Sequence, residues 1–244
     1  MNTKKLITFS VASVFAALSV QGQGTFQNLD FESATPSTPI LGPLGTYYQP
    51  VGLALPGWTA YLGTVQQTQV LQNVYTEGQA AIDLFGPNYP AAGPSGEGPF
   101  NPGVIDGNYS VLLQSGDNQD ETMTVGASIA QSGFVPVGSQ SLEFRAWQTG
   151  LTDFSVSFNG NSLSPVVIGS GANYLLYGAD ISAYAGQSGQ LEFTADFSGR
   201  GASWLGLDDI AFSPTAVPEP SPLALAGLGG LLFALSRRFA PKRQ

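Results

Sequence analysis

Apolar and polar positions alternate with a period of two through the middle of this chain. In SLEFRAW (141–147), Leu142, Phe144 and Ala146 fall on one face and Glu143, Arg145 and Trp147 on the other. In FSVSF (154–158), Phe154, Val156 and Phe158 alternate with serines. In QLEFTADF (190–197), Leu191, Phe193, Ala195 and Phe197 alternate with Glu192, Thr194 and Asp196. This pattern predicts antiparallel strands with one face on a core. Further strands are predicted at TFQNLDFE (25–32), WTAYLG (58–63), TQVLQNVY (68–75), YSVLLQS (109–115), ASIAQSG (127–133), SPVVIG (164–169), YLLYGA (174–179) and LDDIAF (207–212). Turn-rich clusters such as GPSGEGPFNPG and SGDNQDE separate them, and no amphipathic helix exceeds two turns. About ten strands over residues 23–214 predict one all-β domain, an antiparallel β-sandwich or jelly roll. A linker is expected at 213–222.

Composition narrows the chemistry. The 244 residues include 31 Gly and 17 Pro, only 10% are charged, and there is neither Cys nor His. Thiolate and imidazole catalysis, a His-based triad and zinc clusters are excluded. Between residues 23 and 216 only Arg145 and Arg200 face 16 carboxylates, a net charge of −14. Such a surface repels phosphate backbones and argues against a nucleic-acid partner.

The remaining basic residues sit at the two ends. Lys4 and Lys5 precede an apolar run from Leu6 to Leu18, and Val20 and Gly22 place small residues before a break at Gln23. This is a secretory signal-peptide pattern over residues 1–22. An exported domain without Cys must be stable with no disulfide.

At the other end, Leu223–Leu235 is an apolar run of 13 residues, followed by Arg237, Arg238, Lys242 and Arg243. As a helix it would span roughly 20 Å, short of a hydrocarbon core of about 30 Å. The basic tail would stay on the cytoplasmic side. Such a short helix suits a transient hold in the inner membrane better than a permanent anchor.

Pro218-Glu219-Pro220, the Gly/Leu-rich run and Arg237-Arg238 together resemble the PEP-CTERM sorting signal of Gram-negative bacteria. The resemblance covers residues 215–244. It implies recognition of the triad by an exosortase-type enzyme, processing of the tail, and a cell-surface or matrix destination associated with exopolysaccharide and biofilm.

Within the domain, NLDFE, LPGW, SVLLQSG, ASIAQSGFVPVGSQSLEFRAW and GLDDIAF follow an order that resembles galactose-binding-like jelly rolls. That resemblance implies a structural calcium near the meeting of first and last strands, and sugar binding on loops or a concave face. Asp208 shares strand parity with Ile210 and Phe212, so a carboxylate is expected to face inward, where it needs hydrogen bonds or a cation. Glu32 with Asp208 or Asp209 is the expected calcium set; turn capping is the other reading of the same side chains. Asp117, Asp120 and Glu121 in GDNQDE lack EF-hand spacing and read as a solvated acidic turn.

Sugar binding calls for an aromatic platform beside planar polar groups. Trp147 with Glu143 and Arg145 offers that mixture, with core or edge packing as its alternative. Trp58, after Pro56-Gly57, reads as core. No G-x-S-x-G elbow exists, the central domain lacks Lys, and no carboxylate pair stands out for glycoside hydrolysis. The expectation is a non-catalytic exported protein, with a carbohydrate-active or a purely structural role as alternatives. An acidic domain would meet an anionic polysaccharide through bridging calcium.

Overall fold

The computed structural model describes residues 24–42, 46–74, 78–87, 103–118, 123–149, 153–197 and 202–218. The expected signal peptide, Glu219, Pro220, Arg237, Arg238 and the apolar run lie outside them. In chain order the first strands are β1 (Ile40–Leu41), β2 (Tyr47–Pro50), β3 (Thr59–Leu62), β4 (Val65–Gln67), β5 (Gln69–Gln72) and β6 (Ala81–Phe85). Next come β7 (Ser110–Gln114), β8 (Gly116–Asp117), β9 (Thr124–Val125), β10 (Ala127–Phe134), β11 (Ser141–Thr149) and β12 (Asp153–Phe158). The last are β13 (Asn161–Leu163), β14 (Val166–Ser170), β15 (Leu175–Asp180), β16 (Ser188–Asp196) and β17 (Trp204–Ser213). The one described α-helix is the single turn Val51–Ala54.

The strands form a β-sandwich. A nine-stranded sheet has the order β1-β2-β5-β6-β7-β17-β11-β15-β14, and a six-stranded sheet the order β13-β12-β16-β10-β3-β4. All pairings are antiparallel except β5 with β6. Phe144 of β11 and Phe193 of β16 meet across the sandwich as a T-shaped pair, ring centroids 5.2 Å apart. Trp58 joins them 6.4 Å from Phe193. The expected inward faces Leu142–Phe144–Ala146, Val156–Phe158 and Leu191–Phe193–Ala195 are all fully buried in this core.

Two expectations change. TFQNLDFE forms no strand. Beyond a bridge from Thr25 to Phe134 it runs through turns, with Asn28 and Phe31 at φ 50° and 57°. Phe31 still fills the core, its ring tilted against Trp58 with centroids 5.8 Å apart, and the Trp58 Nε1–H donates to Asn28 O. Side-chain anchoring therefore replaces the ladder hydrogen bonds. Strand β6, Ala-Ile-Asp-Leu-Phe, is not among the strands the alternation predicts. It is buried on both sides, and so shows no alternation.

A smaller apolar cluster covers the outer side of the nine-stranded sheet. It holds Phe85, Ile105, Leu112 and Trp147, with Val104, Tyr174 and Trp204 packed around it. Gly206 makes it possible. A methyl group there would lie 2.0 Å from Trp147 Nε1, so the indole lies directly across the β17 backbone.

Candidate functional site

A bulge in β17 organises the polar cluster of the domain. The β11–β17 register slips between Glu143 and Arg145, because two residues of β17, Asp209 and Ile210, stand opposite Phe144 alone. Asp209 adopts the left-handed conformation at φ 49°, which an Asp tolerates better than a branched residue. The bulge breaks the parity expected from sequence. Leu207 and Ile210 both enter the core, while Asp208 pairs with Arg145 on the outer side of the sheet. Asp208 is buried there, but beneath the loop before β7 rather than in the main core.

That loop closes on Asp208. Its Oδ2 accepts from Ser110 Oγ at 2.7 Å and from the Asp106 N–H at 3.1 Å, and its Oδ1 accepts from the Asp209 N–H at 2.7 Å. Ser110 Oγ in turn accepts from the Ile105 N–H at 2.7 Å. Burial pushes the Asp208 carboxyl up to about 7, despite these donors. Glu32 caps the same loop from the N-terminal segment. It accepts from the Asn108 N–H at 2.7 Å, the Tyr109 N–H at 2.9 Å and Asn108 Nδ2 at 2.8 Å. Partial burial works against its charge, but the bonds from Asn108 and Tyr109 win and hold its carboxyl below the usual range.

Arg145 occupies the centre of the negative charge. Its guanidinium bridges Asp106 at 2.7 Å and Asp209 at 2.9 Å, and its Cζ stands 4.9 Å from the ring centroid of Tyr174. Glu143 lies further along β11, its Oε1 3.1 Å from Ser141 Oγ.

The structure thus brings Glu32, Asp208, Asp209 and Arg145 to one loop. Their oxygens do not fit a calcium ion. Calcium needs six to eight oxygen donors turned toward one point. Here Glu32 and Asp208 spend theirs on N–H and O–H donors, and the guanidinium already supplies the cation between Asp106 and Asp209. Among the described residues no group of three acidic side chains gathers as a metal set. Trp147, expected as a sugar platform, is only 5% exposed and lies under the Val104–Ile105 loop. It presents no open face beside Glu143 and Arg145.

The sequence reading passed over Asp106, Asn108 and Ser110, which do the holding; the turn signal Asp106-Gly107-Asn108 marks the place, with Gly107 at φ 59°. It also passed over Asp83. Asp83 is 1% exposed, its Oδ2 accepts from the Val74 N–H at 2.8 Å, and burial pushes its carboxyl well above the usual range.

A cleft of about 380 Å³, with no charged residue among the described ones that line it, lies between the β3–β4 and β8–β9 hairpins. Thr64, Val65, Gln66, Gln67, Asn118 and Met123 are among the residues that line it.

The C-terminal junction is held, although a linker was expected there. After β17, Ser141 Oγ donates to Thr215 O at 2.8 Å, and the Thr215 N–H is donated to Ser213 Oγ at 3.1 Å. Val217 then packs on the outer side of β15. A methyl group at Gly178 would stand 3.3 Å from Val217 Cγ2 and 3.1 Å from Ile168 Cδ1. Pro218 follows, exposed.

Residues 216–238 match the family model of the PEP-CTERM protein-sorting motif. The chain carries a PEP-CTERM sorting motif. The motif includes Pro218, Glu219, Pro220, Arg237 and Arg238 and supports export, processing by an exosortase-type enzyme and sorting toward the cell surface. No curated protein matches the chain. Among the described residues no helix is long and apolar enough to cross a membrane, and the apolar run of the motif lies outside them.

Proposed function

We propose that this chain is a non-catalytic surface or extracellular-matrix protein of a Gram-negative-type bacterium. Its galactose-binding-like sandwich works on exopolysaccharide in a biofilm once the PEP-CTERM tail has done its sorting. One observation carries the reading: the sorting motif begins three residues after the last strand of a β-sandwich. The cleft between the two hairpins supports the carbohydrate part. Carboxamides and a hydroxyl can pair with sugar hydroxyls, while Val65 and Met123 offer apolar contact to a ring face. With no charged side chain among the described residues that line it, the cleft suits neutral sugars.

Intact mass and cell fractionation of the wild type and of a variant with Pro218, Glu219 and Pro220 all changed to Ala test the sorting. The wild type is expected to lose its tail and leave the inner membrane, and the variant to remain there. Both retaining the tail at the membrane would refute it. A glycan array then tests the carbohydrate reading: binding to neutral glycans, lost in Gln66→Leu/Gln67→Leu, supports it, and no binding overturns it. Turnover of any polysaccharide would overturn the non-catalytic assignment.

A further inference from the structure

The outer rim of the nine-stranded sheet, at β14 and β15, is one of two uncharged edges of this acidic domain; the other, at β1 and β2, exposes Ile40, Leu41 and Tyr47 and lies in a stretch, 33–76, that also lacks Lys, Arg, Asp and Glu. From residue 154 to 179 the chain carries no Lys, Arg, Asp or Glu. Strand β14, Val-Val-Ile-Gly-Ser, is the last strand of its sheet. Edge strands are usually blunted by charge. This one instead exposes Val166 (41%) and Val167 (53%), next to Leu175 (37%) on β15. The C-terminal junction is seated at the same rim. Val166 stands opposite Gly178 in the register, and Gly178 is the dimple that receives Val217.

We propose that this rim is the membrane-facing side of the sandwich while the sorting tail is in place, and that Val166, Val167 and Leu175 rest on the lipid headgroup region. The inference rests on the reading of the tail as membrane-inserted. From Pro218 to Leu223, the first residue of the apolar run, there are five residue steps. They span at most about 17 Å. Because Val217 is held on the sandwich, this length is measured from the rim and not from a free linker. The rim therefore cannot swing far from the bilayer. Charge permits this side without singling it out, since the β1–β2 edge is uncharged too; the tether decides between the two. A domain with a net −14 is repelled by anionic headgroups, and an uncharged apolar rim is the part that approaches them at least cost. The opposite edge, β1, lies eight strand steps away, up to about 38 Å along the sheet.

The absence of Cys makes the test direct. The full chain is reconstituted into vesicles of phosphatidylethanolamine and phosphatidylglycerol with a small fraction of headgroup nitroxide lipid. A fluorophore is placed at Val167→Cys or, as a control of similar exposure on the far edge, at Leu41→Cys. Flotation reports insertion of the tail, and quenching reports the rim. Co-flotation with at least twofold stronger quenching at position 167 than at 41 is expected. Adding Gly178→Leu, which fills the dimple and expels Val217, is expected to lower quenching at 167 toward the value at 41 without affecting flotation. Co-flotation with equal quenching at the two positions overturns this inference alone. Failure to float overturns the inserted-tail reading, and the inference with it. A Gly178→Leu chain that keeps full quenching overturns the role given to the Val217 seat.

Discussion

Replacing Asp208 by Asn should flatten the pH dependence of stability between pH 5 and 8. In the folded chain burial raises this carboxyl from 3.8 to about 7, whereas in the unfolded chain it returns to the value of an exposed Asp. The folded state thus binds the proton more tightly. The stabilisation is complete below about pH 4 and is lost as pH rises toward 7, by about 1.4 kcal/mol per pH unit. Over the whole interval the difference is about 4 kcal/mol, and relaxation around the ionised group reduces it to about 2–4 kcal/mol. Asn carries no ionisable proton and keeps an oxygen for Ser110 Oγ and the Asp106 N–H. Its NH2 faces the Asp209 N–H, which adds a cost at every pH, so the slope and not the offset is diagnostic. Asp83 titrates in the same direction in both proteins and cancels in the comparison. Urea unfolding at pH 5, 6, 7 and 8 reads this out through the tryptophans, since Trp58, Trp147 and Trp204, the only three in the chain, all belong to the sandwich. From pH 5 to 8 only the two units below 7 count, so the wild type should lose about 1–3 kcal/mol more than Asp208→Asn. Parallel profiles would refute the account of a buried carboxyl held neutral beneath the loop.

Two further outcomes follow from the same cluster and its surroundings. Gly206→Val should expel the Trp147 indole from the β17 backbone, cost on the order of 3–4 kcal/mol, and shift tryptophan emission to the red; an unshifted spectrum would contradict the placement of Trp147 across Gly206. Millimolar calcium should leave the melting temperature unchanged, because the oxygens of Glu32 and Asp208 are already engaged; a rise of several degrees, abolished by Glu32→Gln, would overturn that assignment.

The strands with one polar face were legible because a half-buried antiparallel strand writes its geometry into alternate residues. Phe144, Val156 and Phe193 lie where the period of two puts them. That signal fails in three ways here. Strand β6 is covered on both sides, and its one polar residue, Asp83, is buried as well, so there is nothing to alternate. The N-terminal segment alternates but is held by Phe31 and by Trp58 Nε1–H to Asn28 O, contacts thirty residues away that no local pattern contains. In β17 a bulge at Asp209 shifts parity in mid-strand, so counting from Ile210 sent Asp208 to the wrong side of the sheet. The acids of the cluster could be picked out in sequence. Their partners could not, because Asp106 and Ser110 reach Asp208 across about a hundred residues of chain. The sorting motif was legible in full, since its order along the chain is itself the signal.

The position of β17 in its sheet also sets an order in time. It is the last strand of the domain, yet it lies between β7 and β11 in the middle of the nine-stranded sheet. Without it the sheet is two separate pieces. A chain that emerges from an export channel N-terminus first cannot close its sandwich until residues 204–213 are out. Only then does Ser141 find Thr215 and Gly178 receive Val217. Folding is thereby delayed to the last moment of translocation, when the sorting segment is next to leave. The chain stays threadable for as long as it must be threaded, and the seat for its tail forms only as the tail arrives.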